Sequence, residues 1–542
     1  GKNLIRYFSV PCKPTKTNGM RTRNLPEHNP DGWEEFKEYL KYDVLSEREI
    51  FNKLSRFDFP LLEQRIYAAD QRINDYGIKA DLQLATAAQS MDEQYKERLA
   101  TLARDKYGID SLKSMPQLKK FIYDRTGVIV TSLDKANIDN VINEIQASET
   151  ATDADKRAAL EIIDFRKEVG KTSNAKYTAI LASAGRGDRI RGLFRYYGAN
   201  RTGRWAGRLV QLQNLPQNHI EDLDGARDLA KMHDLDMVEV IYDKPTHILS
   251  QLIRTTFIAP EGYTFSVADF SAIEARVISW LAGEEWRLEV FRSHGKIYEA
   301  SASQMFGVPI ERIKKGNPEY ALRAKGKVAE LALGYQGSAG ALINMGALDI
   351  GLTEDELPDI VERWREANSK IRDLWYAMEA AAVQVIQCGG TARVRNVVFA
   401  REYDVVQGVS CMTITLPSGR KLYYINPSLG TNQWGRPSIA YTGMDQKTKK
   451  WKSIETYGGK LVENCVQAIA RDCLAGALDR LEAAGLPVVF HVHDEVVIDI
   501  APFDTPENML HLVERIMSEP VAWAPGLPLN ANGWVGAFFT KD

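Results

Sequence analysis

Apolar positions recur along this chain with two different periods, and the switches between them divide it. From about Leu61 to Gly170 they return every three or four residues, the period of amphipathic helices, with breaks at Asp75-Tyr76-Gly77, Tyr107-Gly108 and Ser148 to Asp155. The preceding sixty residues are irregular and rich in Pro and Asn until the helical stretch WEEFKEYLKYDVLSEREIFNKL. A charged helical segment spans Glu221 to Asp243. The run TFSVADFS then reads as a strand with Asp269 near its end; a helix begins near Ala272, and helices continue to about Gln387. Between Thr391 and Tyr457 the pattern shortens to β runs, and Pro417-Ser418-Gly419 predicts a hairpin turn. A helix over Asn464 to Ala484 follows. Two β runs in VVFHVHDEVVIDI, hinged at Asp494-Glu495, then lead to a closing helix and the tail GWVGAFFTKD.

Composition changes this picture little. A chain of 542 residues with net charge −3 and 44% hydrophobic residues is an ordinary globular protein of several domains. No apolar run approaches a membrane span, and no signal-peptide pattern opens the chain. The cysteines (Cys12, Cys388, Cys411, Cys465 and Cys473) form no CxxC pair, which suggests no zinc site and fits a reducing cytoplasm. Near-neutral total charge leaves nucleic acid open as a partner, because a basic channel can sit on an acidic body.

Local chemistry is more informative. On a helix, Arg323, Lys327, Leu331 and Tyr335 of RAKGKVAELALGY fall near one face, which the chain leaves at Gly337. Two cations a turn apart can grip a polyphosphate, and the apolar and aromatic residues beyond can carry a base. Such a face suggests a nucleoside triphosphate site; a solvated basic helix is the other reading. From Ala184 to Gln217, seven arginines (186, 189, 191, 195, 201, 204 and 208) alternate with aromatics, glycines and amides, and Asp188 is the single acid. That composition suits phosphate and base-edge contacts better than a solvated surface of mixed sign. Asp269 and Asp494 each stand where a strand turns. Brought together, they would repel unless cations lay between them, and they would then form the protein's part of a two-metal phosphoryl-transfer site. Each can equally be a turn or cap residue. His493 can be structural, and HxH beside Asp can be mistaken for a zinc motif.

Taken in order, five segments resemble the polymerase core of family A DNA polymerases, the DNA polymerase I group, and its phage-type branch best. DFSAIEAR (269–276) is similar to the first palm motif, RAKGKVAELALGYQG (323–337) to the fingers helix and VHDE (492–495) to the second palm motif. TGRWAGRLVQLQNLP (202–216) resembles the primer-template segment, and ENCVQAIARD (463–472) the helix carrying a minor-groove glutamine. The resemblance implies a right-hand α/β (α+β) fold, with a helical thumb and fingers around a palm of antiparallel sheet. It implies DNA-directed DNA synthesis from dNTPs, with two Mg²⁺ ions (or Mn²⁺) held by Asp269, Asp494 and the Phe270 carbonyl. Arg323 and Lys327 would clamp the phosphates, Lys327 also giving a proton to pyrophosphate. Leu331, Tyr335 and Tyr298 would line the nucleotide site, and Glu274 would crowd a ribose 2′-hydroxyl. Arg204, Gln213, Asn214, Arg254, Gln467 and His493 would hold primer and template.

Three positions depart from the best-known members. Leu331 replaces an aromatic, Tyr298 a phosphate-contacting His, and Glu463 an Asn. The implied domains are an exonuclease remnant (1–60), thumb (61–183), first palm part (184–284), fingers with a β insertion (285–459) and second palm part (460–542). Tyr39 and Asp43 fit the YxxxD of a 3′–5′ exonuclease motif whose other carboxylates have no counterpart here, so no proofreading is expected from this chain alone. The missing exonuclease portion and replisome accessory proteins are the further partners implied, in the cytoplasm of a bacterial or phage-infected cell. Between the two candidate insertions, 220–249 and 391–458, the KTKKWK patch (Lys447, Lys449, Lys450, Lys452) makes the second the better DNA contact. A single-subunit RNA polymerase, which Glu274 opposes, and a catalytically idle DNA-binding scaffold are the alternatives.

Overall fold

The computed structural model describes residues 1–541 except 56–58, 135–136, 405–407, 432–434, 436 and 446–447, so Lys447 of the lysine patch lies outside the described residues. Two compact units result, Gly1–Arg65 and Ile66–Asp542. In the first, helices Lys2–Ser9 and Pro30–Leu54 meet through aromatic rings, with Phe8 5.1 Å from Trp33 and 5.6 Å from Phe36. Asn29 caps the longer helix by accepting the Gly32 N–H at 3.0 Å. Tyr39 and Asp43 share a hydrogen bond along that helix, which raises the phenol's pKa.

The second unit opens with a helical lobe built on α1 (Leu82–Tyr107). Asp81 caps it, Gly108 ends it at φ +67°, and a stripe of Leu84, Ala85, Ala88 and Met91 is fully buried. The charged segment near 221–243 folds as helices Leu223–Lys231 and Leu235–Tyr242, which dock on this lobe. Arg98 reaches Asp236 at 2.7 Å and Glu239 at 2.6 Å, and buried Arg227 meets Asp81 at 3.0 Å. That insertion thus spends its charge on internal packing.

A second layer begins with β1 (Thr264–Phe270), followed by helices α2 (Ile273–Ala282), α3 (Ile297–Phe306), α4 (Leu322–Leu333) and α5 (Ser369–Cys388). Six strands then form an antiparallel meander: β2 (Thr391–Val394), β3 (Val397–Asp404), β4 (Val409–Thr415), β5 (Lys421–Thr431), β6 (Pro437–Met444) and β7 (Trp451–Thr456). Its apolar face (Phe399, Met412, Ile414, Leu422, Tyr424) is buried, and the sheet rests on α5. After α6 (Gly458–Ala483) come β8 (Val488–Val492), β9 (Glu495–Ile500), α7 (Pro506–Ser518) and β10 (Ala531–Gly536).

The four-stranded sheet has the order β8-β9-β1-β10, antiparallel throughout. Helix α7 covers one face of β1 and β10. The arginine-rich segment and the terminal strap cover the other: Arg189 meets Asp499 at 3.2 Å, and the Phe539 ring lies 5.0 Å from Phe490. Among the described residues no helix is long and apolar enough to cross a membrane.

Candidate active site

Sheet register brings the two aspartates together. Asp269 stands opposite Glu495, and the Phe270 N–H donates to the Asp494 carbonyl at 3.2 Å. The tip between β8 and β9 is His493-Asp494, with His493 at φ +56°. The sequence pattern places this hinge one residue later. The Val492–Glu495 pair shows that Glu495 already belongs to the strand, so its carboxylate is buried and Asp494 alone occupies the second tip position.

Charge crowds this corner. Burial and, next, the neighbouring Asp269 charge push the Asp494 carboxyl up to about 7. Glu495 rises to about 7 by burial, against the pull of Lys541, and Asp269 is raised by burial against the same pull. Lys541 Nζ lies 3.3 Å from Asp269 Oδ2 and 3.2 Å from Glu495 Oε2. Asn218 fixes the Lys541 backbone, accepting its N–H at 2.9 Å and donating its own to the Lys541 carbonyl at 3.0 Å. Sequence reading gave Lys541 no role, since a lone cation in a tail carries no sign that the tail returns to the sheet.

Asp269 Oδ1 and Glu495 Oε1 are buried without a hydrogen-bond partner, a combination that costs stability unless a cation or donor meets it. Divalent cations fit such oxygens. No group of three or more His, Cys, Asp or Glu forms a metal cage among the described residues, so a bound cation would draw its remaining donors from phosphate and water.

Beside the tip, a cavity of about 260 Å³ is lined by Arg204, Gln213, Gln467, His493 and Asp494, five of the residues singled out in the sequence. Arg471, Trp205 and His491 line it too, and sequence reading passed over them. Arg471 is buried and donates to the Gly203 carbonyl at 3.1 Å and the Tyr196 hydroxyl at 3.2 Å, bracing the loop that carries Arg204. His491 is a structural histidine: it stacks on Phe194 at 4.4 Å, and burial lowers its pKa to about 3. Gln467 donates to Glu463 at 3.4 Å, and Lys460 steadies Glu463 at 2.7 Å.

Arg323, Lys327 and Leu331 share α4 as expected, with Lys327 and Leu331 exposed. Arg323 lies 5.4 Å from the Tyr298 ring and 3.0 Å from Glu299. Burial raises the Tyr298 phenol, and Asp494 is among the charges acting on it. Gly326 lets α3 approach, because a Cβ there would sit 2.1 Å from the Tyr298 carbonyl.

Tyr335 lies just beyond the end of α4. The helix ends at Leu333, and the chain turns through Gln336 at φ +67° into Gly337, where a Cβ would lie 2.0 Å from the Ala332 carbonyl. The Tyr335 hydroxyl donates to Glu274 at 2.7 Å, and Glu274 also meets Arg204 at 3.0 Å. Arg254, only 4% exposed, donates to the Leu215 and Pro216 carbonyls at 2.7 Å and so shapes the loop bearing Gln213 and exposed Asn214, while its Nη1 is buried without a hydrogen-bond partner.

Comparison with known proteins agrees with this geometry. The sequence model of DNA polymerase family A matches residues 84–400. The DNA polymerase of Bacillus phage SP02 is 50% identical over the whole of this chain and 80% of its own length. The thermostable DNA polymerase I of Thermus thermophilus is 25% identical over 53% of this chain and 28% of its own. Among solved structures, the POL domain of Pol1 from M. smegmatis, in complex with DNA primer-template and dNTP, matches with a TM-score of 0.57 and 19% identity. That match covers 90% of this chain and 72% of the other, and it shows a shared fold. The fold and the paired carboxylates define a polymerase of the right-hand class. The chain belongs to DNA polymerase family A.

Proposed function

We propose that this DNA polymerase extends a primer 3′-hydroxyl on a DNA template with dNTPs, using Asp269 and Asp494 to hold two Mg²⁺ ions, for which Mn²⁺ can substitute. The observation that carries the reading is the pair of abutting, desolvated aspartates, with an unpaired Asp269 oxygen, opening onto the cavity that holds Arg204, Gln213, Gln467 and His493. When bound, the ions supply the charge that activates the 3′-hydroxyl and neutralises departing pyrophosphate. The Phe270 carbonyl is assigned as a further ligand.

Arg323 and Lys327 bind the triphosphate, and Lys327 Nζ gives a proton to the leaving pyrophosphate oxygen. Tyr298 contributes a hydroxyl to the same end. Leu331 offers an aliphatic surface to the base. Tyr335 and Arg204 hold the Glu274 side chain from opposite sides, so Glu274 presents a fixed wall to the sugar 2′-position and disfavours ribonucleotides. Arg204 and Gln467 contact minor-groove acceptors common to all correct pairs, which tests pair shape without reading sequence. Gln213, Asn214 and His493 hold the strands, with Arg254 supporting their loop. Residues 61–183 are assigned as thumb, 184–284 with 460–542 as palm, and 285–459 as fingers. Residues 1–60 are assigned as an exonuclease remnant, with an exonuclease portion and replication accessory proteins as further partners.

Extension of a primed template by wild type, Asp269→Ala and Asp494→Ala tests the assignment. Template-directed products from wild type alone are expected. Extension by either variant at the wild-type rate would overturn the two-aspartate site. Glu274→Ala is expected to raise rNTP incorporation relative to dNTP, and an unchanged ratio would remove Glu274 from sugar discrimination.

A further inference from the structure

The meander between α5 and α6 carries a charge pattern that the proposed site does not use. Residues 391–457 hold ten Lys and Arg against four Asp and Glu, a net +6 in a chain of net −3. Topology then segregates that charge. Six strands in sequential antiparallel order place the β2–β3, β4–β5 and β6–β7 turns side by side at one end of the sheet. Among the described residues, those three turns and their flanks contain Arg393, Arg395, Arg420, Lys421, Lys449, Lys450 and Lys452, with Asp445 the only acid. At the opposite end the described residues of the two turns bring only Asp404.

The cationic end is held against the primer-template segment. In the middle turn, Arg420 donates to Asp472 at 2.8 Å, to the Tyr197 hydroxyl at 2.9 Å and to the Ala468 carbonyl at 2.9 Å. Asp472 and Ala468 lie on α6, the helix of Gln467. Nearby, the Arg201 guanidinium sits 4.0 Å from the Tyr441 ring and 5.0 Å from that of Tyr424, so the sheet also grips the loop carrying Arg204. At the β6–β7 connection Asp445 accepts from Thr448 N at 2.7 Å and from Lys452 at 2.9 Å, which engages the one acid among the described residues there. Lys449, Lys450 and Trp451 project from it exposed, and neither lysine has an ion pair among the described residues.

From this arrangement we propose that the β6–β7 turn binds the sugar–phosphate backbone of the primer-template DNA, with Lys449 and Lys450 on phosphates and Trp451 against the adjoining sugar or base. Three features favour this occupant: the segregated positive charge, its continuity with the loop of Arg204, and the anchoring of the sheet on α6. The meander is an arm that lengthens the DNA footprint and slows dissociation, while leaving chemistry at the aspartates untouched. The inference rests on the proposed reading that primed DNA occupies the cavity beside Asp494.

The test measures binding of a primed template by wild type, Lys449→Ala/Lys450→Ala and Lys449→Arg/Lys450→Arg as salt is varied. Each phosphate contact contributes about 0.9 to the slope of log K against log salt, so the alanine pair is expected to make it shallower by about 1.8. The arginine pair is expected to keep the wild-type slope. Single-nucleotide incorporation at saturating DNA is expected to stay unchanged in both, and fewer nucleotides should be added per binding event by the alanine pair. A folded alanine pair with the wild-type slope would overturn the inference alone and leave an acidic protein surface as the partner of the turn. Failure of wild type to bind primed DNA would overturn it together with the site reading.

Discussion

Strand β9 buries all six residues from Glu495 to Ile500, whereas β5 of the meander alternates: Lys421 half-buried, Leu422 buried, Tyr423 exposed, Tyr424 buried. Both lie inside antiparallel sheets, and the difference is coverage. The four-stranded sheet is covered on both faces, so its acids lose water and their protonation shifts. The meander is covered on one face, so its charges stay hydrated. Lys421 and Glu402 pair at 2.7 Å while about 40% exposed, and Arg287 and Glu330 of α4 pair while 1% and 4% exposed. Covered charge can therefore set reactivity and specificity, and hydrated charge contributes mainly affinity that salt can screen.

Changes on the covered side should therefore have the larger effects. Asp494→Asn is expected to slow extension about 10⁴-fold, roughly 5 kcal/mol of barrier, without lowering Tm. Single-turnover kinetics beside a thermal melt check both halves of that expectation. Arg287→Met leaves Glu330 buried, with only Ser301 and Trp364 as donors, and should cost about 3–5 kcal/mol in urea unfolding. Adding Glu330→Met should recover most of the loss, because the unpaired charge goes with it.

His491 offers a pH test. Its folded pKa of about 3 lies below the ordinary 6.5, so the unfolded chain takes up a proton that the fold excludes. Its contribution is thus present above pH 6.5 and is lost as pH falls toward 3, on the order of a few kcal/mol. In His491→Phe, which keeps the stacking on Phe194, unfolding curves across that window should lose this acid sensitivity. Lys541→Met removes the cation that neutralises Asp269 and Glu495. Mn²⁺ binding, followed by electron paramagnetic resonance, is expected to tighten about tenfold, because ion and lysine compete to neutralise the same Asp269 carboxylate. At the exposed extreme, Lys421→Ala should change stability by less than about 1 kcal/mol. A larger loss would show that the meander's hydrated pairs are not the weak partners that this contrast requires.

What the chain states locally was legible before folding. The α4 face of Arg323, Lys327 and Leu331 follows from helical period, the Pro417-Ser418-Gly419 hairpin from turn chemistry, and the placement of Asp269 and Asp494 at strand ends from β runs that stop there. Those features depend on neighbours within a few residues. Other features depend on which distant segments meet, and no local period encodes that. The Tyr335 hydroxyl found Glu274, 61 residues away. Arg254 turned inward to the carbonyls of 215 and 216. Lys541 returned to a carboxylate 272 residues earlier, and the cations of the meander gathered at one end only because its strands pair in sequential order. The sequence by itself determined the elements and the reactive groups at their ends. Tertiary structure alone decided which charges would lose water together, because desolvation is a property of the assembled neighbourhood and not of the segment.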